Sequence, residues 1–209
     1  MGKGGVKRVL VINMTVCGNY FVGEIRELLS RRKRKVIDHL TFPRAAVLVP
    51  LFQKEGRCHI LFTKRTDQVR HHKGEISFPG GMFDEGDGDL RRTALREAFE
   101  EIGLKEDTVN ILGALDDIVT ITEFIVTPFV GVFPYPYPFE LSPVEIAELI
   151  EVPFASLLDP DRFGEKEIIQ IGQKRTVQAY QYQHHNIWGA TARILRQFLD
   201  LITSTSSTP

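Results

Sequence analysis

The order of apolar segments along the chain is the feature that most constrains its fold. Helical spacing over residues 20–35, 89–102 and 190–202 brackets a series of short apolar or β-branched runs. The predicted strands are Ala45–Phe52, His59–Lys64, Val109–Leu115, Ile118–Ile121, Phe124–Phe133, Glu145–Val152, Ile168–Ile171 and Val177–Tyr182. Tight connections such as Lys54–Gly56 favour antiparallel neighbours. We therefore predict a layered α/β sandwich with a mixed, mostly antiparallel sheet, not a doubly wound parallel sheet.

The composition is that of one folded domain. Of the 209 residues, 43% are hydrophobic and 25% charged, which supplies enough apolar surface for a core and is unlike a disordered chain. The 26 basic and 27 acidic side chains leave a formal charge of −1, so no overall field attracts nucleic acid or an anionic membrane. We expect an N-terminal extension over residues 1–19, a single domain over 20–202 and a disordered tail over 203–209.

The cysteines and the N-terminus bear on the cellular compartment. Cys17 and Cys58 have no C-x-x-C spacing and no histidine at metal-ligand spacing, so neither a disulfide framework nor a zinc site is indicated. The apolar run Val9–Ile12 is too short for a secretory signal, and no apolar stretch is long enough to span a membrane. These features predict a cytoplasmic protein.

Three basic or histidine-rich segments have competing interpretations. Arg31–Lys35 is predicted to be the solvated C-terminal end of the first helix, with nucleic-acid binding as the alternative. The pairs His71–His72 and His184–His185 resemble metal ligands. Because neighbouring residues of a strand point to opposite faces, we interpret both pairs as surface or substrate-edge residues instead.

The predicted helix Asp89–Ile102, which is closed by Gly103, carries a cluster of acidic residues that could bind a metal ion. One arc of this helix is apolar and is expected to pack: Leu95, Ala98, Phe99 and Ile102. Another arc is acidic: Glu97, Glu100 and Glu101. Like charges at i and i+4 repel, and a Mg²⁺ ion, which prefers carboxylate oxygens, would turn that repulsion into coordination. A solvated acidic face is the alternative.

A glycine-rich segment precedes this helix. Gly80 and Gly81 follow Pro79, and adjacent residues without a Cβ let the backbone approach a ligand closely. We therefore expect residues 65–88 to form a functional loop that is too irregular to contribute a core element.

Loop and helix together resemble the Nudix box of the Nudix hydrolases. That pattern is G-x5-(acid)-x7/8-R-E-U-x-E-E-x-G-U, where U is aliphatic, and Arg96–Leu104 supplies all of its C-terminal part. Counted from Gly81, the acid is Asp87 in place of the usual Glu, and eight residues instead of seven separate it from Arg96. This departure leaves the role of Asp87 open. The resemblance implies a Nudix-type α/β/α sandwich.

The flanking segments resemble the coenzyme A pyrophosphatase branch of that superfamily, over about residues 24–202. The matching segments are Leu61–Thr66, Arg70, Lys73–Glu75, Ser77–Gly81, Val126–Pro128, Glu145–Glu148 and Ile187–Ala192. The resemblance implies hydrolysis of coenzyme A or acyl-coenzyme A to adenosine 3′,5′-bisphosphate and (acyl-)4′-phosphopantetheine. ADP-ribose, a dinucleotide or a nucleoside triphosphate are alternative substrates. A non-catalytic nucleotide-binding module is the alternative of another class.

The resemblance also implies roles for single residues. Glu97 and Glu101 would bind Mg²⁺ or Mn²⁺, with Glu100 as a third carboxylate and the Gly80 carbonyl as a further ligand. Arg96 would orient Glu97 through a charge-assisted hydrogen bond. Glu145 is the candidate general base, and an ordinary strand-edge position is its alternative.

Phosphate contacts are expected from cations close to the box. The candidates are Lys64, Arg65, Arg70 and Lys73, together with the backbone of Gly81. A solvated surface position remains the alternative for each cation. The predicted partner is a small diphosphate substrate, with neither nucleic acid nor membrane, and a homodimer is left open.

Overall fold

The structure is a computed structural model that describes residues 19–39, 41–68, 73–170 and 172–204. The helices are α1 (Asn19–Arg31), α2 (Leu90–Ile102), α3 (Phe154–Leu157) and α4 (Gly189–Ser204). The strands are β1 (Arg44–Lys54), β2 (Arg57–Arg65), β3 (Ile76–Ser77), β4 (Gly80–Met82), β5 (Asn110–Ala114), β6 (Ile118–Val119), β7 (Ile125–Val132), β8 (Ile146–Pro153), β9 (Phe163–Gln170), β10 (Gln173–Tyr182) and β11 (His185–Trp188).

Strand β1 lies at the centre of an eight-stranded mixed sheet. It runs antiparallel to β2 and β4 and parallel to β7. The order is β3-β2-β1-β7-β5, with β8 paired to β2 and β6 to β7. Leu48 and Val49 are fully buried on opposite faces of β1, which is why this strand reads as a continuous apolar run.

Helices cover both faces of this sheet. Ile25 of α1 and Phe198 of α4 belong to the core on one face, and Ala98 and Ile102 of α2 to the core on the other. A three-stranded antiparallel sheet, β9-β10-β11, adjoins the first core through Ile187. The predicted single-domain α/β/α sandwich with a mixed, mostly antiparallel sheet is confirmed.

The first helix ends earlier than predicted, so that most of the basic run Arg31–Lys35 lies beyond it. Helix α1 ends at Arg31, and the following residues run extended beside residues 116–117. Arg32 Nη1 donates to Asp116 Oδ1 at 3.0 Å, and Arg34 Nη1 lies 3.2 Å from Asp117 Oδ1. The prediction of a solvated helix end is wrong, because these two cations pair with partly or fully buried carboxylates. The same pairs remove two of the five cations that the nucleic-acid alternative would use.

Residues 65–88 contain two short strands, so the expectation that this segment supplies no core element is wrong. β3 pairs with β2, and β4 pairs with β1 in the register Val47↔Gly80. A Cβ on Gly80 would lie 2.6 Å from the Cα of Val47, so only glycine allows β4 to approach β1 this closely.

Two observations bear on the compartment. Cys58, buried in β2, is disulfide-bonded, contrary to the expectation from cysteine spacing, and Cys17 lies outside the described residues. Since a reducing compartment disfavours disulfides, cytoplasmic localisation stays a prediction. None of the described helices has the length and apolar character needed to cross a bilayer.

Candidate active site

Helix α2 begins one residue later than predicted, with Asp89 as its N-cap, and Gly103 closes it as predicted. The Asp89 side chain accepts a hydrogen bond from Arg92 N at 2.9 Å, which satisfies one of the free N–H groups of the first turn. Gly103 adopts the left-handed conformation, with φ 70°, and closes the helix. These caps fix where the helix begins and ends.

The buried face of α2 differs from the predicted one. Ala94, Ala98 and Ile102 are completely buried, whereas Phe99 is 53% exposed and Glu101 only 2% exposed. At about 100° per residue, Glu101 lies next to Ala94 and Ala98 on the helical wheel, and Phe99 lies outside that stripe. The structure therefore turns one of the three predicted acidic residues into the interior.

The two glycines of β4 lie against the glutamates of α2. The Gly80 N–H donates a hydrogen bond to the Glu101 carboxylate. A Cβ on Gly81 would lie 2.5 Å from both carboxylate oxygens of Glu97. Gly81 therefore lies directly against the Glu97 side chain, and the predicted close approach of the glycine backbone to a ligand stays a prediction.

Glu101 is the most unusual group in this part of the molecule. Burial raises the pKa of its carboxyl to about 8; Arg65 opposes the shift, and the nearby Glu97 and Glu145 add to it. Arg65 Nη1 lies 3.5 Å from Glu101 Oε1. The other oxygen, Oε2, is buried without a hydrogen-bond partner among the described residues. A buried carboxylate with one free oxygen is typical of an ion-binding group.

Arg96 joins the helix to the loop in front of it. Its Nε and Nη2 donate to Asp87 Oδ1 and Oδ2 at 2.7 and 3.1 Å, and its Nη1 donates to Glu97 Oε1 at 2.8 Å. Thr93 Oγ1 donates to Asp87 Oδ2 at 2.8 Å, and the pKa of Asp87 falls to about 2, mainly because of Arg96. Asp87 thus anchors Arg96, which settles the role that the spacing left open.

Glu97 and Glu145 complete the acidic side of the site. Burial raises the pKa of Glu97 above its usual range, although Arg96 opposes the shift. Glu145 lies in the turn before β8, with its side chain 46% exposed, and its Oε2 is 3.9 Å from Arg65 Nη2. Arg65 therefore lies between the carboxylates of Glu101 and Glu145.

The remaining predicted residues are more dispersed. Glu100 is 55% exposed and accepts from Arg96 Nη1 at 3.0 Å. Lys64 Nζ lies 3.7 Å from Glu148 Oε2, away from the Glu101 carboxyl that Arg65 contacts. Lys73 is exposed, and Arg70 lies outside the described residues, as does the pair His71–His72.

Sequence reasoning missed a second group of polar side chains. Glu148, His184 and His185 are brought together so that one ligand atom of each lies within 4.8 Å of the others. Among the described residues it is this group, not the glutamates of α2, that meets such a spacing. The argument from strand geometry does not apply to this pair, because His184 lies in the β10–β11 turn, where side chains do not alternate between two faces. Burial lowers the pKa of His185.

Comparison with known proteins gives one consistent family. A family model described as the NUDIX domain matches residues 42–170. The Nudix hydrolase NudL of Enterobacter sp. (strain 638) is 36% identical over 177 residues, which cover 85% of this chain and 90% of that protein. NudL of Cronobacter sakazakii is 39% identical over 153 residues, or 73% of this chain and 79% of that protein. A MutT/nudix family protein from Enterococcus faecalis superposes with a TM-score of 0.49 at 11% identity, covering 87% of this chain and 74% of that one.

Proposed function

Because this chain belongs to the Nudix hydrolase family, we propose that it hydrolyses the diphosphate bond of coenzyme A or acyl-coenzyme A with Mg²⁺ or Mn²⁺. One P–O bond of the anhydride breaks, the oxygen of water joins one phosphorus, and the other phosphate leaves with the bridging oxygen. The products are adenosine 3′,5′-bisphosphate and (acyl-)4′-phosphopantetheine.

The observation that carries the metal part of the proposal is the buried free oxygen of Glu101. Carboxylate oxygens are the preferred ligands of Mg²⁺ and Mn²⁺. Glu97 and Glu101 would hold the ion, with Glu100 as a third carboxylate. The Gly80 N–H already points to Glu101, and because N–H and C=O of one strand residue point to the same side, the Gly80 carbonyl is suited to join them.

A bound divalent ion neutralises phosphate oxygens and lowers the pKa of a coordinated water. Residues of the chain orient the ligands and accept the proton of the attacking water. Arg96, anchored by Asp87, fixes the orientation of Glu97 through the 2.8 Å hydrogen bond. Glu145 is exposed enough to accept the proton of the attacking water, and its ion pair with Arg65 holds its side chain at the site.

The substrate part of the proposal depends on the segments around the box. Leu61–Thr66, Lys73–Glu75 and Ser77–Gly81 carry the resemblance to coenzyme A pyrophosphatases. Arg65 is the cation of this group that lies at the Glu101 carboxyl. Its planar guanidinium can bind two phosphate oxygens at once, so it is our first candidate for a substrate phosphate contact, followed by Lys73 and Arg70.

A substrate panel with product identification tests both parts. The protein with Mg²⁺ or Mn²⁺ is incubated with coenzyme A, an acyl-coenzyme A, ADP-ribose, a dinucleotide and a nucleoside triphosphate, and products are identified by mass. We expect coenzyme A or its thioester to give the highest kcat/KM. Preferential cleavage of ADP-ribose or a dinucleotide would contradict the substrate, and an intact panel would contradict catalysis altogether.

A Glu101→Gln variant tests the metal ligand. Because the buried carboxyl favours its neutral form near pH 7 without an ion, the fold should tolerate the neutral amide. Turnover should fall more than about 100-fold, since even loss of an outer-shell partner costs about 10- to 100-fold. Glu106→Gln, at an exposed glutamate beyond the helix, is the matched control and should keep normal turnover. Near-normal turnover of Glu101→Gln would remove Glu101 from the ligand set.

A further inference from the structure

A second group of potential metal ligands lies on the sheet face opposite α2. Glu148 of β8 shares its face with Ile150 and Val152, which belong to the core under α1 and α4. His185 begins β11, and His184 occupies the turn before it. The small sheet thus brings two imidazoles to a carboxylate of the large sheet.

The distances suit one ion. His185 Nε2 lies 3.5 Å from Glu148 Oε1. Two ligand atoms bound tetrahedrally at about 2.0–2.2 Å from a zinc ion are themselves about 3.3–3.6 Å apart. The rings of His184 and His185 are tilted by 39° with centroids 3.9 Å apart, and the ligand atoms of all three residues lie within 4.8 Å of one another.

The ammonium group of Lys64 lies next to this group but leaves one oxygen of the Glu148 carboxylate available to bind an ion. Lys64 Nζ lies 3.7 Å from Glu148 Oε2, whereas His185 faces Oε1. The lysine can therefore keep its ion pair with one oxygen while the other coordinates an ion. The side chain of His185 is 4% exposed and that of Glu148 42%, so the group is enclosed on the protein side and open to solvent on the other.

We propose that Glu148, His184 and His185 bind a Zn²⁺ ion, at a site separate from the carboxylates of α2. Two imidazoles and one carboxylate match the ligands that zinc accepts, and they leave a fourth position for water. Mg²⁺ prefers oxygen ligands throughout, so it does not compete well here. The ion connects β8 of the large sheet with the β10–β11 turn of the small one, and its binding energy therefore stabilises the packing of the two sheets.

Cobalt binding tests the site without relying on activity. The full chain, free of any histidine tag and treated with chelator, is titrated with Co²⁺ in excess Mg²⁺, which occupies the carboxylates of α2. We expect one equivalent of Co²⁺ with the visible absorption of a four- or five-coordinate nitrogen-containing site, displaced by Zn²⁺. Zn²⁺ should also raise the Tm.

Two variants and one control locate the ion. His184→Ala removes an exposed ring and Glu148→Gln a half-exposed carboxylate, so both should fold, and each should weaken Co²⁺ and Zn²⁺ binding by about tenfold or more. His39→Ala, at a histidine whose side chain is 74% exposed, should bind as the unchanged protein does. Absence of the Co²⁺ spectrum would overturn the proposal. So would His184→Ala and Glu148→Gln variants that bind Co²⁺ as tightly as the unchanged protein does.

Discussion

Replacing Asp87 with asparagine should destabilise the protein by about 2 kcal/mol above pH 4. The variant keeps the shape of the side chain but removes the charge that accepts two hydrogen bonds from Arg96. Those contacts lower the pKa of Asp87 from 3.8 to about 2, and about 1.4 kcal/mol per pKa unit gives the quoted figure. For a domain of this size, the Tm should fall by roughly 4–8 °C.

The sign of the pH dependence distinguishes this cause from a packing defect. A carboxyl whose pKa is lower in the folded state stabilises the fold above its unfolded pKa, and that stability is lost as the pH falls toward the folded value. The Tm difference between the unchanged protein and Asp87→Asn should therefore shrink as the pH is lowered from about 4 toward about 2. Calorimetry over this range, with the exposed Asp107→Asn as control, measures it. A difference that is absent at pH 7, or constant with pH, would refute the reasoning.

Two further predictions concern the contacts of α2. Gly81→Ala should lower turnover about 100-fold while the protein stays folded, because the new Cβ would lie 2.5 Å from the carboxylate oxygens of Glu97 and displace them. Gly164→Ala, where a Cβ meets nothing within 4 Å, is the control, and equal activity of both variants would contradict the prediction. In chelator, stability should decrease as the pH rises from about 4.5 to about 8, since the folded state binds the Glu101 proton more tightly than the unfolded chain. Thermal unfolding should show a steeper loss of stability for the unchanged protein than for Glu101→Gln, in which Glu97, whose pKa is also raised, still contributes. Equal slopes in the two proteins would assign the effect to another group.

Local signals were enough to predict the helix that carries the candidate site. Asp89 and Gly103 cap α2 within one residue of its predicted ends, because both preferences arise from the free backbone groups of the helix itself. The segment from Gly81 to Leu104 that resembles the Nudix box is likewise continuous, so the resemblance could be recognised in the sequence, and the family is confirmed. The substrate and the ligand roles stay predictions.

Features that depend on distant segments escaped the sequence. Helix α1 ends at Arg31 because the following residues pair with Asp116 and Asp117, more than 80 positions away. Phe99 is exposed and Glu101 buried because the sheet meets α2 along the stripe of Ala94 and Ala98, which a helical wheel without its neighbour does not show.

The sequence by itself determined the layered α/β class, the limits of α2 and the acidic character of its face, since these follow from hydrophobic periodicity and from capping within a few residues. The tertiary structure alone decided which glutamate is buried, with a pKa raised to about 8. It also gave Asp87 its partner Arg96, and it brought His184 and His185 to Glu148. Burial and ion pairing are properties of packed surfaces, and segments far apart in the chain create those surfaces only when they fold together.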